Sequence, residues 1–191
     1  SRRSVQVEIP ADRLGPFWSV WLLAITGLLG IIVTGDAFNM YVLLEISALT
    51  IYGLIAMGRS RDRKALVSAF NYLILGSIGA SFILIAIGLL YAHTGTLNMS
   101  DLHQRLQASD GGATVMTARA FLLVGLSLKM ALFPLHFWMP AAYSTAPSAV
   151  ASLLSATATK VGIYMAMRFL YTVLPTEGGV LTDPNVWLLG G

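Results

Sequence analysis

Three ionisable side chains lie deep inside apolar stretches of the sequence: Glu45, Lys129 and Lys160. The stretches are FNMYVLLEISALTIYGLIA, FLLVGLSLKMALFPLHFWMP and SAVASLLSATATKVGIYMAMRF, respectively. Burial favours the neutral form of an amine, whereas a nearby carboxylate favours its charged form. A glutamate that moves towards or away from a lysine therefore controls whether the lysine holds its proton. The three residues together predict a proton relay.

The residues that follow Lys129 predict a broken helix. Pro134, five positions later, lacks the backbone N–H that a helix needs and should end or kink it. Broken helices within membranes are tolerated where protein or water satisfies the freed carbonyl groups. His136 follows the break, and its imidazole could pass protons between water and the lysines. A histidine that only hydrogen-bonds the broken helix is the alternative.

Two hydroxyl groups accompany Lys160 on the last apolar stretch. Thr157 at i−3 and Tyr164 at i+4 should share a helix face with the lysine. They could hold waters and line a pathway. A purely structural interpretation of the deep charges also exists, in which Glu45 is protonated or only pairs with Lys129, and the charges fix the register of the helices. An ionisable residue at mid-bilayer costs on the order of 2.5–3.5 kcal/mol, so such residues tend to be functional.

The composition requires these residues to be positioned within a membrane. The chain of 191 residues is 56% hydrophobic and 11% charged, with a mean hydropathy of +0.73, whereas soluble domains carry about 25% charged residues. A membrane-crossing helix needs roughly 20 apolar residues. Five segments qualify, at 17–34, 37–57, 65–92, 114–133 and 148–173. The fold class predicted is an all-α membrane protein with five transmembrane helices, of which the fourth is discontinuous.

Charge distribution predicts the orientation of the chain. The connection GRSRDRK, at 58–64, carries four cations and indicates a cytoplasmic loop. We therefore expect a cytoplasmic loop over 1–16, a transmembrane unit over 17–173, and an outer loop or the start of a further segment over 174–191. The location expected is the inner cell membrane, with the N-terminus of this chain in the cytoplasm.

Local signals predict three further features. Asp36, in the very short connection between the first two spans, should cap the second helix. The stretch TLNMSDLHQRL predicts a short helix with one apolar face, capped by Asn98 with Asp101. Small residues in the third span should let another helix approach closely: Gly76, Ser77, Gly79, Ala80 and Ser81.

Other classes of function find no support in the sequence. The chain has no cysteine and no zinc-type spacing, phosphate-binding loop or nucleophile elbow, so we expect no metal, no cofactor, no catalytic residues and no chemistry of its own. Its net charge of +3 comes from residues that flank apolar segments and do not form one basic face, which argues against nucleic acid as a partner.

At the deep charges the sequence resembles a known family. The stretches concerned are TGDAFNMYVLLEIS, IGLLYAHTGTLNMSDL and LKMALFPLHFWMPAAYSTAPSAVASLLSATATKVGIYMAMRF. They resemble the proton-conducting antiporter-like membrane proteins, which include the D-type and A-type subunits of Mrp-type sodium/proton antiporters and the large membrane subunits of complex I and membrane-bound hydrogenases. The patterns GDxFNxYVxxE, GTLNMxDL and FPLxFWxPxxY are most similar to the D-type Mrp subunits.

The resemblance implies a fold and a set of roles. Family members contain two inverted five-helix repeats, each a half-channel with a broken helix, and this chain is similar to the first, helices four to eight. It is therefore expected to be a fragment or part of a split protein. The resemblance implies that Glu45 and Lys129 form a switching ion pair and that Lys160 passes protons onwards. Ala141 stands where many relatives have an aspartate, which puts in doubt a role for that acid.

The resemblance also implies a function and partners. The leading prediction is proton or cation translocation as part of a multisubunit sodium/proton antiporter, with membrane lipid, other subunits, protons and sodium as partners. One alternative couples the half-channel to redox chemistry, in an assembly like complex I or a hydrogenase. The other is a membrane scaffold that transports nothing.

Overall fold

Five helices are long and apolar enough to cross a membrane. The computed structural model describes residues 2–57, 63–109 and 112–174. The five helices are Ala11–Val33, Ala37–Ala56, Lys64–Thr94, Gly112–Met130 and Ser148–Val173. They coincide with the five predicted spans, and the fold class is confirmed as an all-α membrane protein. Most of the basic loop and nearly all of the predicted segment 174–191 lie outside the described residues.

The regular elements of the described residues are helices. In chain order they are α1 Arg2–Glu8, α2 Leu14–Val33, α3 Ala37–Ala56, α4 Arg63–Thr94, α5 Met99–Gln107, α6 Gly112–Met130, α7 Trp138–Thr145, α8 Ser148–Leu153 and α9 Thr159–Met167. A 3-10 turn, Ala11–Arg13, precedes α2. Two π-helical stretches, Leu154–Ala158 and Arg168–Val173, make α8 and α9 parts of one continuous fifth span.

The first two spans form the expected hairpin. The side chain of Asp36 accepts a hydrogen bond from the backbone N–H of Asn39 at 2.7 Å, which confirms the predicted cap. The same turn pairs with the segment before α5, because the N–H of Ala37 donates to the carbonyl of Leu97 and the N–H of Met99 to that of Gly35, both at 2.9 Å. Helix α5 is thereby attached to the α2–α3 turn.

Helix α5 is amphipathic as predicted. Asn98 accepts from the N–H groups of Ser100 and Asp101, at 3.0 and 3.3 Å, and so caps the helix. The buried face consists of Met99, Leu102 and Leu106. On the exposed side, a hydrogen bond from Arg105 lowers the pKa of Asp101. The carboxylate therefore stays charged to lower pH, and its ion pair is lost only as the pH falls through that lowered pKa.

Two glycines bring α4 and α6 into direct contact. A Cβ atom on Gly125 would lie 2.6 Å from the carbonyl oxygen of Gly79 and 3.1 Å from the backbone nitrogen of Ile83. A Cβ atom on Gly79 would in turn lie 3.0 Å from the Cβ of Leu128. The small-residue cluster predicted in the third span therefore does permit close approach, and it positions the end of α6.

We expect Gly125→Ala to destabilise this helix pair by about 1–3 kcal/mol, because the added methyl group meets backbone atoms that cannot rotate away. Thermal unfolding of the purified full-length protein in detergent measures the effect. Gly88→Ala is the matched control, since nothing lies within 4 Å of a Cβ atom on Gly88 in α4. Equal melting temperatures for the two variants would contradict the close packing.

The N-terminal segment differs from the expected loop. Residues 2–8 form helix α1, because Val5 and Ile9 share one face and are buried, 1% and 2% exposed, in a cluster that includes Trp138. The carboxylate of Glu8 accepts from the backbone N–H of Ser148 at 2.7 Å, at the start of the fifth span. A helix this short has little stability of its own. The tertiary contacts that hold it could not be inferred from local pattern.

Substituting Glu8 with alanine should cost about 1 kcal/mol, the usual loss when a helix N-terminus loses its capping acceptor. Glu8→Gln is expected to retain most of the stability, because its amide oxygen can still accept from Ser148. The measurement is again thermal unfolding of the full-length protein. If Glu8→Ala and Glu8→Gln have equal melting temperatures, the contact between Glu8 and Ser148 does not stabilise the fold through capping.

Candidate functional site

The fourth span is interrupted directly after Lys129. Helix α6 ends at Met130, and α7 begins at Trp138. The end is a Schellman motif: the N–H of Leu132 donates to the carbonyl of Ser127 at 2.9 Å, and that of Ala131 to the carbonyl of Leu128 at 3.3 Å. Ala131 has φ of 56°, the left-handed conformation that this motif requires. The predicted break is confirmed, with the helix ending before Pro134.

A buried tryptophan satisfies part of the backbone at the break. The indole Nε1 of Trp138 donates to the carbonyl oxygen of Leu128 at 3.0 Å, and the side chain is 3% exposed. Its ring stacks on Tyr72, with centroids 4.3 Å apart, and Tyr72 meets Tyr52 edge-on at 4.7 Å. Trp138 is not among the site residues that the sequence predicts. The signal was present, because a buried indole needs an acceptor and a broken helix provides one.

Glu45 and Lys129 form an ion pair across α3 and α6. The Nζ of Lys129 lies 3.6 Å from Oε1 of Glu45, and the two side chains are 7% and 25% exposed, respectively. Within the described part of the chain, neither atom has a hydrogen-bond partner. The separation exceeds the 2.7–3.2 Å of an N–H···O hydrogen bond. The pair therefore lies just beyond hydrogen-bond distance and is held mainly by charge.

Lys160 lies beside the break but points elsewhere. Its ammonium donates to the carbonyl oxygen of Ser155, within the π-helical stretch, and its side chain is exposed. Two residues on, a Cβ atom on Gly162 would lie 3.5 Å from the backbone of Lys129. Positions two apart on a helix face nearly opposite directions. The structure thus brings α9 against the end of α6 but directs Lys160 away from Lys129.

The accessory residues occupy separate places. Thr157 donates to the carbonyl of Leu153 at 2.6 Å, and the hydroxyl of Tyr164 donates to the carbonyl of Ile32 at 3.1 Å. Tyr164 therefore binds the end of α2. His136 is flanked by the rings of Phe133 and Phe137, and among the described residues its buried Nδ1 has no hydrogen-bond partner. The roles assigned to these three residues remain predictions.

The site does not resemble a metal centre. In the described ranges, no group of three or more His, Asp or Glu side chains is arranged to hold a metal ion. What the geometry offers is proton chemistry: one carboxylate and one ammonium in a largely dry site, beside a helix end whose carbonyl groups are partly satisfied by Trp138.

Comparison with known proteins identifies the group to which this arrangement belongs. Residues 34–187 match the transmembrane family of NADH:quinone oxidoreductases and Mrp antiporters. The chain belongs to this family. The match includes α3, α6, the break after α6 and the fifth span. All three deep charges therefore lie within the matched region.

Relatives of two kinds are similar to the chain. It is 47% identical over 186 residues to the N-type subunit of the NADH-quinone oxidoreductase of Desulforudis audaxviator, covering 97% of this chain and 36% of that protein. It is 32% identical over 164 residues to the D-type subunit of the Na(+)/H(+) antiporter of Bacillus subtilis, covering 86% and 33%, respectively. The chain therefore spans about a third of the length of these curated relatives.

Solved structures agree with this assignment. The archaeal membrane-bound sulfane sulfur reductase has a chain that matches with a TM-score of 0.79 and 37% identity, over 88% of this chain and 33% of its own length. A chain of the Mrp complex from Dietzia sp. matches with a TM-score of 0.74 and 32% identity, over 81% and 29%, respectively. Both solved structures are multisubunit complexes, and the antiporter-like fold is shown.

Proposed function

We propose that this chain forms a half-channel for protons in a multisubunit membrane assembly, and that the Glu45–Lys129 pair is its switch. The observation that carries the proposal is an ion pair 3.6 Å apart, without a direct hydrogen bond, at the end of a broken transmembrane helix. Buried structural ion pairs normally gain hydrogen bonds to offset desolvation. A loosely joined pair is better suited to opening and closing.

The switch works through the proton affinity of the lysine. When Glu45 is close, its charge favours the protonated form of Lys129. When Glu45 withdraws, the ammonium is left in a largely dry site, and the neutral amine is favoured. Lys129 then releases its proton to an acceptor near the break, for which the unpartnered Nδ1 of His136 is a candidate. Each separation of the pair thus ejects one proton.

Lys160 is proposed as the onward carrier. Its exposed side chain points away from Lys129, so the transfer between the two lysines has to run through intervening groups or water. The π-helical stretch before Lys160 supports a special role, because π-helical turns occur frequently at functional sites. We propose that Thr157 and Tyr164 line this route.

The residues ahead of the first span and the basic loop are assigned to the cytoplasmic side of the inner membrane.

For the assembly, we propose first a Mrp-type sodium/proton antiporter, because the motifs around Glu45 and Pro134 are most similar to the D-type Mrp subunits. A redox-driven proton translocase is the second candidate. It is favoured by the 47% identity to an NADH-quinone oxidoreductase subunit and by the similarity to the sulfane sulfur reductase. Co-purified subunits, or genes adjacent to this one, would discriminate between the candidates. Redox subunits among them would select the second.

Proton-coupled transport by the full-length protein in membrane vesicles tests the relay itself. The pH change inside vesicles is followed with a dye after substitution of Glu45 or Lys129. Retained transport contradicts the relay. Loss of the assembled Lys129→Ala protein from the membrane, instead of loss of transport, favours the scaffold.

A further inference from the structure

A further buried polar group on the helix of Glu45 has no assigned role. The hydroxyl of Tyr52 belongs to a side chain that is 6% exposed, and it has no hydrogen-bond partner among the described residues. Buried hydroxyl groups nearly always have a partner, and an exception calls for an explanation. A buried hydroxyl without a partner costs free energy, so a new hydrogen bond to it is favourable.

The hydroxyl lies at the depth of the pair. Tyr52 follows Glu45 by seven residues on α3, so both side chains leave the same face of the helix. Long side chains in a helix point towards its N-terminus, which directs the ring of Tyr52 towards Glu45. Two turns separate their Cα atoms by about 10 Å. Both side chains lean the same way along α3, so the ring of Tyr52 reaches back towards Glu45 over part of that distance.

Contacts with α4 locate the oxygen relative to Lys129. The hydroxyl rests against Gly76, where any Cβ atom would overlap it. Three residues along α4, Gly79 packs on Leu128, and Ile83 meets Gly125, so α4 and α6 run antiparallel. One further turn along this contact places Gly76 near the end of α6, within about one turn of Lys129. The hydroxyl of Tyr52 and the two atoms of the ion pair therefore lie at similar depths among α3, α4 and α6.

We propose that Tyr52 is a positioning residue for the switch, whose hydroxyl becomes the alternative hydrogen-bond partner when Glu45 and Lys129 separate. This inference rests on the proposed function. A phenol can donate to a carboxylate and accept from an ammonium, so it can stabilise either member of the open pair. Its edge-on contact with Tyr72, itself stacked on Trp138, holds the ring in place.

The test is Tyr52→Phe, which removes one oxygen and keeps the packing. Transport by the full-length protein should fall about tenfold, the worth of one hydrogen bond to a charged group, and its pH profile should shift. The titratable groups around the hydroxyl are Glu45 on α3, Tyr72 on α4 and Lys129 on α6. Native rates with a native pH profile would overturn the inference. A slower rate with an unchanged profile would too, because it indicates packing alone.

Gly76→Ala provides an independent perturbation of the same hydroxyl. The new methyl group must displace the oxygen, so transport should fall as in Tyr52→Phe. The double variant Tyr52→Phe/Gly76→Ala should lose little more than the slower single variant, because the hydroxyl is already absent and one ring carbon, 2.9 Å from the Cβ position, still has to shift. Additive losses would count against the hydroxyl. Gly88→Ala on the same helix serves as the control.

Lys129→Ala, assayed in parallel, separates the role of Tyr52 from the relay itself. If Lys129→Ala stops transport and Tyr52→Phe behaves as native, only the role of Tyr52 fails. If Lys129→Ala itself transports normally, the relay fails and the role of Tyr52 with it.

Discussion

Replacing Lys129 with alanine should lower proton-coupled transport by about 100-fold or more, the usual cost of losing a positioned proton-transfer group. The side chain is 7% exposed and lies at the end of α6, so no bulk water can substitute for it. The measurement is the initial rate of pH change in vesicles that contain the full-length protein, normalised to the amount assembled. Within this chain the remaining Glu45 is less buried than Lys129, 25% against 7% exposed, so assembly should persist.

Lys129→Arg is the informative companion to this variant. Arginine keeps the positive charge beside Glu45 but does not release its proton in proteins. If the lysine carries protons, the arginine variant should assemble normally and transport as poorly as the alanine variant. Normal transport by Lys129→Arg would show that charge alone suffices at this position, and would contradict proton transfer through the amine.

The spans and the break follow from local physics and could be predicted. An apolar run of about 20 residues crosses lipid as a helix, and Pro134 cannot continue a helix. The Asp36 cap is equally local, since the oxygen that satisfies the first turn comes from the residue before it. The exact end of α6 was not predictable in this way, because Ala131 adopts a conformation in which glycine is usual.

The partners of the site depend on tertiary structure and could not be predicted. Trp138 reaches Leu128 only because the chain folds back after the break, and Tyr52 meets Gly76 only where α3 crosses α4. Sequence spacing brings Glu45 to the right depth but does not choose between Lys129 and Lys160 as its partner. In the structure Glu45 pairs with Lys129, and Lys160 donates instead to the carbonyl of Ser155.

The unequal burial of the ion pair predicts an asymmetry in stability. Glu45→Ala leaves the ammonium of Lys129 buried without its counter-charge, which typically costs about 3–5 kcal/mol. Lys129→Ala leaves a carboxylate that is a quarter exposed, so its cost should be smaller. Thermal unfolding of the two purified variants in detergent gives the comparison. Equal melting temperatures for the two variants would contradict the asymmetry.

The double variant Glu45→Ala/Lys129→Ala then separates the relay from the scaffold. Removing both charges leaves neither one stranded, so the double variant should regain much of the stability lost by Glu45→Ala. A relay cannot be restored in this way, because no group remains to hold the proton. Recovered stability with transport still about 100-fold down is the outcome expected for a proton switch. Recovered transport would show that the pair only fixes helix register, and would establish the scaffold in its place.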